Sequence, residues 1–116
     1  MNLHFKYEKN IQIKQLEALY NDVQWYAYTQ DLAVLQQAVS QSLDVLTVWD
    51  CDELVGLVRV VGDGLTILYI QDILVLEAYQ NQGIATQLMQ RILQKYHHVR
   101  QKVFVDRRSN GCKAFL

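Results

Sequence analysis

Hydrophobic positions along the chain change their period several times, and each change marks an element. Leu3, Phe5 and Tyr7 alternate with His4 and Lys6, which predicts a strand over residues 3–7. Leu16, Leu19 and Tyr20 then recur at helical spacing and predict a helix over residues 11–23. A second helix follows, with Thr29 placed to cap it and Leu32, Leu35, Val39 and Leu43 along one side. The aromatic run Gln24-Trp25-Tyr26-Ala27-Tyr28 connects the two. Residues 45–49 and 54–61 are β-rich and joined by Asp50-Cys51-Asp52-Glu53, which reads as a hairpin. Gly62-Asp63-Gly64 turns into a long strand over 65–75, making an antiparallel meander. Ile84, Leu88, Ile92 and Tyr96 then recur every four residues beside Ala85, Met89 and Leu93, a wide apolar stripe suited to a sheet. A short strand over 102–105 ends the pattern. A strand, helix, strand crossover of this length sets it parallel to the strand before the helix.

The chemistry concentrates where the long strand gives way to the last helix, through Gln80-Asn81-Gln82-Gly83-Ile84-Ala85. The first turn of a helix leaves backbone N–H groups without intrahelical partners and carries the positive end of the macrodipole. A loop entering it without bulky side chains is an anion cradle, and Gly83 and Ala85 keep this one open. Neither the dinucleotide fingerprint Gly-x-Gly-x-x-Gly nor the P-loop pattern occurs.

Gln80, Gly83 and Ala85 satisfy Gln/Arg-x-x-Gly-x-Gly/Ala, after a strand and at the start of a helix. This resembles the acetyl-CoA signature of the GNAT family of N-acetyltransferases, and the element order resembles that family over nearly the whole chain. The resemblance implies an α/β fold of the GNAT type: a mixed, mostly antiparallel sheet flanked by helices. It also implies one domain over residues 1–116, truncated in the C-terminal helix and last strands, because the family continues with a helix and two strands where this sequence stops. The implied activity is transfer of acetyl from acetyl-CoA to a primary amine of a small molecule or protein. The alternative is a non-catalytic acyl-CoA-binding or inactive relative. Acetyl-CoA would lie against Ile73, Leu74 and Val75, whose backbone pairs with the pantetheine arm and polarises the thioester carbonyl. Its diphosphate would meet Gln80, Asn81, Gln82, Gly83, Ile84, Ala85 and Thr86. No metal is implied.

Asp72 is the candidate base. Asp is depleted in strands, and alternation would set it beside Ile70 and Leu74 on an apolar face, where desolvation raises a carboxylate's pKa. The structural alternative is a carboxylate capping backbone N–H groups or positioning the amine, while Glu77 and Glu53 are weaker candidates near strand ends. Arg59 interrupts an apolar strand and is a substrate-binding candidate for an acceptor's carboxylate or phosphate. Pairing with Asp72 or Glu53 is the ordinary fate of a buried cation. Trp25, Tyr26 and Tyr28 fall on the family's acceptor-side loop and would shape the amine site or plug the space between helices. His97-His98 suits a solvated helix end. The family's general-acid Tyr has Leu116 at its place, in a helix expected to include Ala114 and Phe115, and Leu gives no proton.

Composition narrows the class. With 116 residues, 51% hydrophobic, the chain is long enough to bury a core. A net charge of −1 with dispersed Lys and Arg argues against nucleic acid. No apolar run suits a membrane span and the first residues lack a signal-peptide layout, so a cytoplasmic protein with reduced Cys51 and Cys112 is expected. An unfinished sheet would leave residues 102–105 as an edge strand, inviting a homodimer or a rearrangement of the residues after Asp106.

Overall fold

A computed structural model describes residues 2–106 and 112–115. Its elements run β1 (Leu3–Tyr7), α1 (Ile13–Asp22), the single turn α2 (Tyr26–Thr29), α3 (Leu32–Ser40), β2 (Asp44–Asp50), β3 (Glu53–Gly62) and β4 (Ile67–Val75). A 3-10 turn (Glu77–Tyr79), α4 (Ile84–Lys95), β5 (Gln101–Asp106) and β6 (Cys112–Phe115) follow. The described strands form one six-stranded sheet in sequence order, antiparallel except where β4 meets β5. No described helix is long and apolar enough to cross a membrane.

The two helical layers follow from the sequence periods. Ile84, Leu88 and Ile92 of α4 pack with Leu46, Val58, Val60, Leu68 and Ile70 on one face of the sheet. Leu16, Leu19 and Tyr20 of α1 and Leu35 and Val39 of α3 pack with Val45, Leu57 and Leu74 on the other. Each helix thus buries the stripe its spacing announced, and β3, covered on both faces, is buried from Leu54 to Val60.

Four expectations are corrected. The second helix is capped by Asp31, whose carboxylate accepts from Val34 N–H at 3.2 Å. Thr29 instead ends the separate turn α2, bonding Tyr26 O and Asn21. The long strand starts at Ile67 rather than Leu65, which is 71% exposed. Asp63 holds the residues between, accepting from the N–H groups of Leu65, Thr66 and Ile67 and from the Thr66 hydroxyl. At the other end, the backbone of Cys112–Phe115 is a strand antiparallel to β5, not the start of a helix. β5 is therefore no edge: β6 covers it, the second of the two outcomes anticipated for that segment, and the sheet's outer strands are β1 and β6. The fourth correction concerns Asp72 and is described with the site.

The Asp63 turn makes a testable prediction. Its hydrogen bonds, that from Leu65 N–H first, hold the carboxyl far below the usual carboxylate range. A group with a depressed folded pKa contributes stability above its unfolded pKa and loses it as pH falls towards the folded one. Asp63→Ala should therefore be less stable than wild type near pH 7, and the gap should shrink below about pH 4, where an unfolded Asp takes up its proton. Urea midpoints for both proteins at the two ends of that range check this; a gap independent of pH would contradict it.

Candidate active site

The site is built around a break in β4. From Gly56↔Val75 to Arg59↔Asp72 the β3–β4 register is regular, and it resumes at Val60↔Ile70, leaving Gln71 as an extra residue. A bulge of this kind bends the strand and resets which face each side chain takes. Leu68 and Ile70 before it belong to the α4 face, while Asp72 and Leu74 after it belong to the α1 and α3 face. Simple alternation, which would have kept Ile70, Asp72 and Leu74 together, fails for that reason.

The bulge also ends the parallel pairing. β4 matches β5 only from Ile67↔Gln101 to Ile70↔Phe104, and beyond it no described strand pairs with that edge of β4. Leu76 N–H bonds Val55 O on the β3 side, so strand alternation turns the Val75 and Ile73 amides towards the opening. The break thus exposes a stretch of donors and acceptors over residues 73–75, in the middle of the sheet rather than at its rim.

Below the opening lies the loop into α4. Gln80 folds back, its side-chain amide donating to Val75 O at 2.9 Å, so it fastens the loop to the strand end. Asn81 and Gly83 take left-handed backbone conformations, φ 64° and 81°. Gly83 is the N-cap of α4 and offers no side chain to the free N–H groups of the first turn. A Cβ at Gly83 would meet nothing within 4 Å, so the space beside this glycine is open. Gln82, Gly83, Ala85 and Thr86 are exposed around it, and Ile84 points into the core. An uncapped helix start, a glycine where a side chain would fill the approach and an adjoining strand edge fit a diphosphate with an extended arm.

On the other face of the sheet, the structure assembles a network around Asp72, which is 1% exposed. Arg59, its cross-strand neighbour, donates from Nε at 2.7 Å, Tyr20 from its hydroxyl at 3.0 Å and Tyr28 from its hydroxyl at 2.9 Å. Burial opposes the charge of Arg59, but Asp72 beside it outweighs this, and the guanidinium's pKa lies above its ordinary value. Burial, then the Asp72 charge, pushes the Tyr20 phenol well above its usual range, so it stays a donor. Arg59 also reaches the Ser42 hydroxyl at 3.4 Å. The pairing alternative therefore describes Arg59, with Asp72 as its partner rather than Glu53, and its fork faces inward instead of towards an acceptor. For Asp72 the described partners are the side chains of Arg59, Tyr20 and Tyr28, not the backbone N–H groups that its structural alternative expects.

The aromatic connection supplies the outer wall. Tyr20, Trp25 and Tyr28 pack on one another, with ring centroids 5.2 to 6.2 Å apart. Trp25 and Tyr28 are half-buried against the α1 and α3 core, as the plug reading anticipates, and Tyr26 stands 55% exposed. Gln71, the bulge residue, reaches the Tyr28 hydroxyl with its side-chain amide at 3.3 Å. Sequence reasoning missed Tyr20 and Gln71. The first sits on an apolar helix stripe, where a Tyr reads like a Phe, and only the unusual Asp in the facing strand hints that its hydroxyl has a partner.

Glu77 is exposed, and its N–H is held by Asp22 at 2.6 Å. Glu53 sits in the hairpin near Tyr79, whose phenol, bonded to Asp50, is pushed up to about 12. His97 and His98 are exposed past α4, and among the described residues no three His, Cys, Asp or Glu side chains cluster to hold a metal. The general-acid expectation at Leu116 lies outside the described residues.

Comparison with known proteins adds an independent line. The sequence model of the acetyltransferase (GNAT) family matches residues 10–114. A GNAT-family acetyltransferase from Streptococcus pneumoniae TIGR4 is 32% identical with a TM-score of 0.78, the match covering 90% of this chain and 76% of that one. A protein of unknown function from meticillin-resistant Staphylococcus aureus, described as a probable acetyltransferase, is 27% identical with a TM-score of 0.65, over 84% and 71% of the two chains. A GNAT-family acetyltransferase from Elizabethkingia anophelis, solved with acetyl-CoA bound, shares the fold at 17% identity and a TM-score of 0.64, over 90% and 65%. No curated protein sequence matches the chain.

Proposed function

Because the chain belongs to the GNAT acetyltransferase family, we propose that it binds acetyl-CoA and transfers the acetyl group to a primary amine. The observation that carries this reading is the pairing of an uncapped, glycine-led helix start with a β4 edge released from β5 at the Gln71 bulge. The acetyl-CoA in the Elizabethkingia anophelis relative supports the choice of co-substrate.

In this reading the backbone N–H groups of Gly83, Ile84, Ala85 and Thr86 receive the diphosphate, with Asn81 and Gln82 shaping the loop and Gln80 tying it to Val75. Ile73, Leu74 and Val75 lay their backbone along the pantetheine arm, and an amide of this stretch polarises the carbonyl. Acetyl-CoA supplies the activated thioester. Trp25 and Tyr26 border the approach of the acceptor. Asp72 and Arg59 hold the acceptor side in shape rather than touching substrate, which leaves water to take the proton of the incoming ammonium. The reading places the protein in the cytoplasm as one domain over residues 1–116, with a small-molecule or protein amine as partner.

Calorimetry with acetyl-CoA and thiol release with a panel of amines test the proposal, with a protein-only blank because Cys51 is exposed. Binding should be measurable. With no enzyme base in contact with the amine, kcat/KM for a simple alkylamine should rise about tenfold per pH unit up to about pH 9, following the free amine. A plateau near neutral pH would instead show that a base on the enzyme takes the proton. Binding with no transfer to any amine would favour the acyl-CoA-binding alternative, and no binding would defeat both.

A further inference from the structure

We propose that the outer edge of β1 and the basic flank of α4 form a docking groove for an extended acidic segment of a partner protein, one that carries Asp or Glu at every second position. Strands β2 and β3 lie between this edge and the β4 bulge, so the inference does not rest on the transferase reading.

The backbone of β1 is the first part of the groove. β1 is an outer strand of the sheet, paired on one side with β2. Glu8 N–H bonds Val45 O, and the register sets Lys6 opposite Thr47 and His4 opposite Trp49. Strand alternation then turns the backbone groups of His4 and Lys6 towards β2 and those of Phe5 and Tyr7 outward. An added strand finds there the donors and acceptors that a sheet edge offers.

The second part is a pair of cations above the same two residues. Phe5 packs against the α4 core, and Tyr7, two residues on, shares its face of the strand. α4 buries Ile84, Leu88 and Ile92 and leaves Arg91 and Lys95 exposed one turn apart on its flank. Each sits over one ring: the Arg91 guanidinium carbon is 4.0 Å from the Phe5 centroid, and Lys95 Nζ is 3.8 Å from that of Tyr7. A groove of about 490 Å³ opens beside them, lined by Tyr7, Gln90, Arg91, Gln94 and Lys95, all donors and none an acid. Lys95 gives one bond to Asp44, and neither described ion pair engages Arg91.

Spacing selects the occupant. Arg91 and Lys95 are about 6 Å apart along the helix axis, and Phe5 and Tyr7 are about 6.8 Å apart along the strand. A strand bonded to β1 sets the residues opposite Phe5 and Tyr7 on the same face as those rings, and these are themselves two apart. Carboxylates at both positions reach both cations. The side chain between them falls on the other face, beside His4 and Lys6. A lone phosphate meets the cations but leaves the outward backbone groups unused.

A short fluorescein-labelled peptide alternating Glu with Thr is titrated into the full chain and followed by anisotropy. One control replaces each Glu by Gln, and another keeps the composition with its Glu residues consecutive. Wild type should bind the alternating peptide about tenfold more tightly than either control, and Arg91→Gln should weaken that binding about tenfold, the size of one lost charge-assisted bond. Because Arg91 is exposed and outside the α4 entry loop, the thermal midpoint and acetyl-CoA affinity of the variant should stay near wild type. With peptide bound, the amides of Phe5 and Tyr7 should exchange with solvent about tenfold more slowly, while those of His4 and Lys6, already turned to β2, change little. No binding, equal binding of a control, unchanged affinity in Arg91→Gln, or unprotected Phe5 and Tyr7 amides would each overturn the proposal. Displacement of the peptide by an equal concentration of inorganic phosphate would give the groove to a small anion, and protection of the same amides by self-association without peptide would give the edge to a second copy. Either result also overturns it.

Discussion

Asp72→Ala is expected to lower unfolding free energy by about 3–5 kcal/mol, because it removes the only anion bonded to the buried Arg59 among the described ion pairs and leaves an uncompensated charge. The same substitution strands the Tyr20 hydroxyl, which is 0% exposed and donates to Asp72. Urea denaturation measures the loss, and a change below about 1 kcal/mol would put the pair in the class of solvated ion pairs. The mechanism predicts its own repair. Arg59→Leu, Asp72→Leu and Tyr20→Phe together remove the cation, the anion and the stranded donor, so the triple variant should regain most of the stability lost by Asp72→Ala. It should not regain full acetyl transfer, because Tyr28, beside the proposed acceptor approach, would lose its hydrogen bond to Asp72. Stability and activity would then separate in one protein, which a purely structural network would not allow.

Why Asp72 was noticed in the sequence, yet surrounded by different neighbours in the structure, shows where the sequence is informative. An Asp inside a strand is visible in the residue string. The bulge beside it is not, since Gln71 has no turn chemistry and only the β3 register reveals the extra residue. Two-residue alternation therefore describes β4 on either side of the bulge but not across it. Helical stripes read correctly because three or four apolar positions in each vote for one face, as Leu16, Leu19 and Tyr20 do in α1. Helix starts read less well: Thr29 and Asp31 are both good caps two residues apart, and tertiary contacts to Asn21 decide between them. The glycine-led helix start was legible because Gly83 directly precedes the apolar stripe of α4. The Tyr20, Tyr28, Arg59 and Asp72 cluster was not, because it joins four elements, α1, α2, β3 and β4, whose meeting depends on how the helices settle on the sheet. Arg59 makes the same point in reverse: an Arg in an apolar strand signals an anion, but only the register tells whether that anion is its own neighbour or a ligand.

The second large effect is expected at Gly83. Gly83→Val puts a branched side chain into the open space at the N-cap of α4, whose first-turn N–H groups have no side-chain cap. If those groups hold the diphosphate, the variant loses several charge-assisted hydrogen bonds together, each worth about 1.5–3 kcal/mol, so acetyl-CoA affinity should fall by about a hundredfold or more. Strain complicates the comparison, because φ is 81° there and a β-branched residue in a left-handed conformation costs about 1–2 kcal/mol. Gly64→Ala is the control. Gly64 also has positive φ, at 72°, but its Cβ would face Leu43 and Tyr96, far along the chain from the cradle. That variant should lose stability through strain while binding acetyl-CoA as wild type does. Calorimetry on both, with circular dichroism to establish folding, separates blockage from strain. Equal acetyl-CoA affinity in folded Gly83→Val and wild type would show that the helix start is not the diphosphate site, and the reading of the loop as a cradle would fall with it.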